Sequence, residues 1–133
     1  MHDRFRRELR SLSAVFAMAE EFCALNAVQK TEQSTLDFLL EEIFTNLVKY
    51  GAAGGGEILI ALERDGNHLI LSVTDFDADR FDIRELPPPD VTLPLEARTP
   101  GGLGIHLVKQ MVDRIDYDYD NRISRTTLYQ KLG

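Results

Sequence analysis

One cysteine, Cys23, is all that the 133 residues contain, so no disulfide can form within the chain. This fits a reducing compartment, and the setting "EEFCALN" reads as that of a small buried hydrophobe. Cations are scarce too: 15 Lys and Arg stand against 22 Asp and Glu, a net charge of −7. Binding nucleic acid through a general basic surface is thereby disfavoured, because it depends on clustered Lys and Arg displacing counterions. An anionic small ligand is not excluded, since backbone N–H groups at a helix start hold phosphate whatever the overall charge. There is no run of about 18 apolar residues and no basic-then-apolar amino terminus. The expectation is a cytoplasmic protein with no membrane span. Proline is missing from most of the chain, all five lying between Pro87 and Pro100 in "ELPPPDVTLPLEARTPGG". That stretch cannot be an ordinary helix or a central strand. A connection so long inside one domain is read as a lid over a site, or as a disordered insertion.

What is present describes a single domain, 44% apolar and 28% charged, able to bury roughly two-thirds of its unfolded surface. Residues 1–10 are charge-rich and suit a short edge strand or a frayed tail. From Ser11 or Ser13 to Leu25, apolar residues Val15, Phe16, Ala19, Phe22 and Cys23 recur at helical spacing, with Ser13 as candidate N-cap. A second helix starts after Thr31 or Ser34 and runs to Tyr50, with Gly51 as its stop. "GEILIALERDGNHLILSVTD" reads as a hairpin, with strands over Ile58–Leu62 and Leu69–Val73 and a turn at Asp65, Gly66 and Asn67. "GGLGIHLVKQMVDRI" predicts a third helix whose apolar side holds Leu103, Leu107, Val108, Met111, Val112 and Ile115. Strands over Asp116–Asp120 and Ile123–Leu132, joined at Asp120–Asn121, complete the order helix, helix, hairpin, lid, helix, hairpin. The predicted fold class is α+β: a two-layer sandwich of a mostly antiparallel, mixed sheet with helices on one face.

The second helix carries the first chemical signal, "LLEEIFTNLVKYG". Leu36, Leu39, Ile43, Leu47 and Tyr50 form one stripe, and Glu42 and Asn46, one turn apart, lie along its edge. A carboxamide oxygen suits a hard cation such as Mg²⁺, and a carboxylate one turn earlier can take a proton from an attacking hydroxyl. The same pair also suits solvated or capping groups. Gly101, Gly102 and Gly104 precede and open the third helix, where free N–H groups and the dipole attract phosphate; a hinge with a tight turn is the other reading. "GAAGGGEI" lacks the Gly-Lys-Ser/Thr of a phosphate-binding loop and leads into a strand, so it reads as a plain loop. Asp75 ends an apolar strand, where a carboxylate can accept from an adenine amino group. Asp77, Asp79 and Asp82 follow closely; a Ca²⁺ loop is the alternative there, without the glycine and distal glutamate of an EF-hand. His106 has no acidic or cysteine partner in sequence and is expected to be structural.

In order, these segments resemble the Bergerat-fold (GHKL) ATP-binding superfamily, and the short single-domain form resembles bacterial anti-sigma-factor serine/threonine kinases. The resemblance spans about residues 10–132. "EEIFTNLVKYG" is similar to the N box, "VTDFDADRFD" stands at the first glycine box, and "GGLGIHLVKQMVDRIDY" is similar to the second. The resemblance implies a histidine-kinase-like ATPase domain over 1–133 with an ATP lid at about 83–101. It implies ATP and Mg²⁺ as cofactors, Glu42 as general base, Asn46 as Mg²⁺ ligand and Asp75 as adenine contact. Lys49, Arg98, Gly101, Gly102, Leu103 and Gly104 are the further nucleotide-binding candidates. The implied partner is an anti-sigma-factor antagonist of STAS type, with a sigma factor and a second copy of the chain as further candidates; no direct nucleic-acid or membrane contact is implied. The family pattern departs at Asp77 and Asp79, where glycines are expected. That departure motivates an alternative, a catalytically weak or inactive nucleotide-binding or partner-docking module. A histidine-kinase fragment is a third reading, for which the segment before the N box leaves little room for a dimerisation helix.

Overall fold

Lys30–Tyr50, 21 residues with neither glycine nor proline, forms helix α2, with Glu32 in its first turn and Lys49 in its last, both complementary to the helix dipole. In the computed structural model, which describes residues 1–50, 56–87, 92 and 102–133 (side chains at 50 and 103 excepted), it lies under a sheet. The order is β1 (His2–Arg6), a 3₁₀ turn at Leu9–Ser11, α1 (Leu12–Leu25), α2, β2 (Glu57–Asp65), β3 (His68–Asp75), a 3₁₀ turn at Ile83–Glu85, α3 (Gly102–Met111), β4 (Arg114–Asp120) and β5 (Ile123–Lys131). The expected two-layer α+β sandwich is observed. Its sheet, expected to be mixed, is antiparallel at every pairing among the described strands, in the order β1-β2-β3-β5-β4.

Register fixes which side chains face the helices. Phe5, Ile58, Asp75, Ser124 and Tyr119 form one row across the sheet, and Leu62, Leu71, Leu128 and Ile115 another. The apolar members of these rows pack with Val15, Phe22, Leu39, Leu40, Ile43 and Phe44 from α1 and α2 in one core. The charge-rich amino terminus is thus an edge strand, anchored where Phe5 enters that core. Cys23 is buried there as expected. Burial, then the charges of Asp37 and Glu32, raise its thiol further from ionisation.

Helix starts differ from expectation. Ser13 lies inside α1, its hydroxyl on the Arg10 carbonyl, because the 3₁₀ turn already supplies the helix entry. Thr31 and Ser34 lie inside α2, and Ser34 bonds back to the Lys30 carbonyl. Between α1 and α2 the chain turns without glycine. Asn26 returns its amide to the Phe22 carbonyl, and Ala27 takes a left-handed φ of 54°. Arg64 of β2 donates to the Asn26 carbonyl at 2.6 Å, tying this turn to the sheet end.

The third helix is rotated relative to expectation. Ile105 and Val108 are buried, whereas Leu107 and Met111 remain 40% and 37% exposed. Ile115 belongs to β4, not to the helix. The two hairpins occur where expected. Gly66 at φ 58° opens the β2–β3 turn, as a type II′ turn requires, and Asn121 and Arg122 at φ 51° and 61° form the β4–β5 turn.

Candidate functional site

Asn46 is only 5% exposed, and its Nδ2 donates to the Glu42 carbonyl at 2.7 Å. Only the amide N–H can make that bond, so Oδ1 points the other way. There it is buried, with no hydrogen-bond partner among the described residues. An acceptor left so costs on the order of 1–3 kcal/mol, which a cation at that oxygen would remove. The donor is a hard carbonyl-type oxygen and fits Mg²⁺, which asks for few protein ligands.

Glu42, one turn earlier, is half-buried. Burial pushes its carboxyl above the ordinary value, Glu41 adds to the shift, and Lys49 opposes it. A group so placed is a better proton acceptor at neutral pH than a solvated carboxylate. Its carboxylate lies against Gly104 of α3: a Cβ on that glycine would stand 2.7 Å from Glu42 Cδ and closer still to Oε2. Close approach, rather than a turn, is what demands glycine here. The N–H groups of the first turn of α3, which begins at Gly102 and has no acidic residue there, lack intrahelical partners and offer an anion site.

Asp75, at the end of β3, is 2% exposed and faces the helices. Its Oδ1 accepts from Nη2 of Arg7, and Nη1 of the same guanidinium donates to the Leu47 carbonyl at 2.7 Å. Burial raises the Asp75 carboxyl, while the charge and hydrogen bond of Arg7 act against that rise. Ser124, buried on β5, is its register partner. Glu42, Asn46, the end of α2, Arg7 and Asp75 therefore form one continuous line, with α3 at one end and β5 at the other.

Of the sequence candidates, Glu42 and Gly104 are brought together, Asn46 lies beside them, and Asp75 is joined to the far end of α2. Gly102 and Leu103 sit in the first turn of α3. Lys49 is exposed on α2, near enough for its charge to act on Glu42. Arg98 and Gly101 lie outside the described residues, as does most of the stretch 83–101. His106 is half-buried on α3. Arg7 was not a candidate. Nothing in the spacing of "RFRRELR" signals that a residue so near the amino terminus ends beside a carboxylate 68 positions on.

The four aspartates of "DFDADRFD" separate. Asp77 and Asp79 turn outward to Arg122, at 2.9 Å from Nε and 3.0 Å from Nη1, while Ala78 between them is buried. Asp77 has a φ of 50°, the conformation that makes glycine the natural occupant. Asp82 accepts from Arg84 N, Nε and Nη2. Burial would raise its carboxyl, but the Arg84 hydrogen bonds and the charges of Arg84 and Arg80 together hold it below the ordinary value. With Asp75 inward and the others committed to arginines, these carboxylates do not converge as a Ca²⁺ loop would require.

The site thus combines a buried, unpartnered asparagine oxygen with a carboxylate, one turn away, packed against the start of another helix. The chain belongs to the histidine kinase-like ATPase domain family, whose model matches residues 5–129. The RsbU and RsbW domains of Rv1364c from Mycobacterium tuberculosis share the fold at a TM-score of 0.64 and 18% identity, over 99% of this chain and 32% of that one. The histidine kinase AdeS of Acinetobacter baumannii does so at 0.55 and 14% identity, over 100% of this chain and 68% of that one. This chain thus spans about a third of the mycobacterial structure. Among curated proteins, no match is found. No helix of the described residues is long and apolar enough to cross a membrane.

Proposed function

We propose that the protein is an ATP- and Mg²⁺-dependent serine/threonine protein kinase that phosphorylates an anti-sigma-factor antagonist of STAS type and acts on transcription by sequestering a partner. One observation carries the reading: the open, buried Oδ1 of Asn46 lies one turn from a carboxylate packed against the start of α3. Bound Mg²⁺ would neutralise charge on the triphosphate being attacked. Asn46 would hold the metal through Oδ1. The first-turn N–H groups of α3 would hold phosphate oxygens, and Asp75 would accept from the base. Glu42 would take the proton of the attacking serine or threonine hydroxyl at its carboxylate. In phosphoryl transfer, positioning and charge neutralisation of this kind supply most of the rate. A sigma factor and a second copy of the chain are further proposed partners, in a cytoplasmic setting.

A second reading, a docking module without turnover, draws on Asp77 and Asp79, which stand where the resemblance expects glycines and are tied to Arg122. Calorimetric titration with ATP and Mg²⁺ tests the first reading. The parent chain should bind, and Asn46→Ala should lose roughly tenfold or more in affinity. Transfer of labelled phosphate to a STAS-type partner should follow. Equal affinities in the two chains would defeat the assignment of Asn46, and binding without transfer would favour the module.

A further inference from the structure

Arg7 leaves β1 and reaches inward between two elements that the fold otherwise brings together only through the core. Its backbone N–H donates to the Gly56 carbonyl at 2.9 Å, Nη1 to the Leu47 carbonyl at 2.7 Å, and Nη2 to Asp75 Oδ1. The guanidinium is planar, so two bonds from one fork fix both the spacing and the orientation of what they hold. Asp75 Oδ2 has no partner among the described residues, and neighbouring Ile58 and Ser124 present no charge to it.

We propose that Arg7 is a positioning residue for base selection: it pins Asp75 Oδ1 to the end of α2 and so holds Oδ2 as a fixed acceptor for the exocyclic amine of adenine. This rests on the nucleotide-binding reading and extends it to specificity. A 6-amino purine donates to such an oxygen. A 6-oxo purine presents a carbonyl instead, leaving two acceptors face to face and both unpaired, a mismatch of roughly tenfold to a hundredfold in affinity. The pair also bears on protonation. Burial alone pushes the Asp75 carboxyl up, and Arg7 is the charged group bonded to it that opposes this. A protonated carboxyl would donate, and would then accept the 6-oxo base. Arg7 thus acts on base choice by geometry, and its charge opposes protonation of Asp75.

The test is a calorimetric titration of the full chain, with Mg²⁺ present, against ATP and against inosine triphosphate, which differs at the 6-position. The parent should prefer ATP by roughly tenfold or more. Arg7→Gln should narrow that ratio to within about threefold, and Asp75→Ala should abolish it. Arg7→Lys, which keeps the charge but lacks the planar fork that fixes both bonds, should restore part of the ratio. If Arg7→Gln does not fold, as judged by circular dichroism, the ratio in Arg7→Lys decides: an intermediate value supports the role and the full parental value overturns it. Equal loss for both nucleotides in Arg7→Gln means that Arg7 only supports the fold, and tighter ATP binding means that its guanidinium competes with the base. Either result overturns the proposal while leaving the nucleotide reading intact. An unchanged ratio in Asp75→Ala overturns the proposal and again leaves the nucleotide reading intact, whereas no nucleotide binding by the parent overturns both.

Discussion

Glu42 of α2 and Gly104 of α3 stand so close that a Cβ on the glycine would lie 2.7 Å from the carboxylate carbon. The atom it would meet is the end of a flexible side chain, so Glu42 would swing aside rather than the helices part. Gly104→Ala should therefore fold, and its melting midpoint should equal or exceed that of the parent, because alanine favours the helix by about 1 kcal/mol over glycine. Phosphotransfer should nonetheless drop by at least tenfold, since the displaced carboxylate no longer faces the start of α3. A parallel melt and transfer assay on the one variant checks both halves.

Removing the charge at position 42 separates stability from activity in another way. The Glu42 carboxyl is raised by burial, then by Glu41, so the folded state binds its proton more tightly than the unfolded chain. Stability then falls as pH rises from the ordinary carboxylate value through the raised one, and the cost is fully present above it. Glu42→Gln should melt higher than the parent at pH 7 to 8, with the difference shrinking as pH falls through the raised value and gone below the ordinary value of 4.5. The same variant should retain ATP binding and lose on the order of 10²-fold or more of its transfer rate. A pH series of thermal melts reads the first effect.

Ala27 offers a stability prediction away from the site. Its φ of 54° costs a residue with a Cβ roughly 1 kcal/mol, and glycine occupies that region freely. Ala27→Gly should leave stability unchanged or raise it by up to about 1 kcal/mol, after the entropy that glycine adds to the unfolded chain. Arg64→Ala, which removes the donor to the Asn26 carbonyl, should lower it by about 1 kcal/mol. Denaturant unfolding of the two variants checks that only Arg64→Ala lowers stability.

The clamp between Asp77, Asp79 and Arg122 accounts for aspartates where the family pattern has glycine. Asp77→Ala should destabilise, since it keeps the left-handed conformation without the ion pair, and should be about 1 kcal/mol less stable than Asp77→Gly. Because neither variant keeps the ion pair, that difference is conformational and should survive in high salt. Denaturant titrations at two ionic strengths check both statements.

The elements with a strong local period were legible before any coordinates. The β2–β3 hairpin, α1 and the stripe of Leu36, Leu39, Ile43 and Leu47 on α2 all follow from spacing, and so does the placement of Glu42 and Asn46 on one edge. The third helix was not so clear. Of its expected apolar side Val108 does enter the core, but Leu107 and Met111 stay exposed and Ile105, which was not expected, is buried instead. The face that turns inward carries Gly104 and Val108, one turn apart, with Gly104 lying against the Glu42 carboxylate.

The sequence by itself determined the helices, the hairpins and the polar pair on α2, because each depends on residues within a few turns or a few strand positions of one another. Only the tertiary structure decided that Glu42 meets Gly104, that Arg7 holds Asp75, and that Arg122 draws Asp77 and Asp79 outward. Those partners are at least 43 positions apart, and nothing but the register of the sheet and the packing of helices upon it sets which of many like-charged side chains comes within bonding distance.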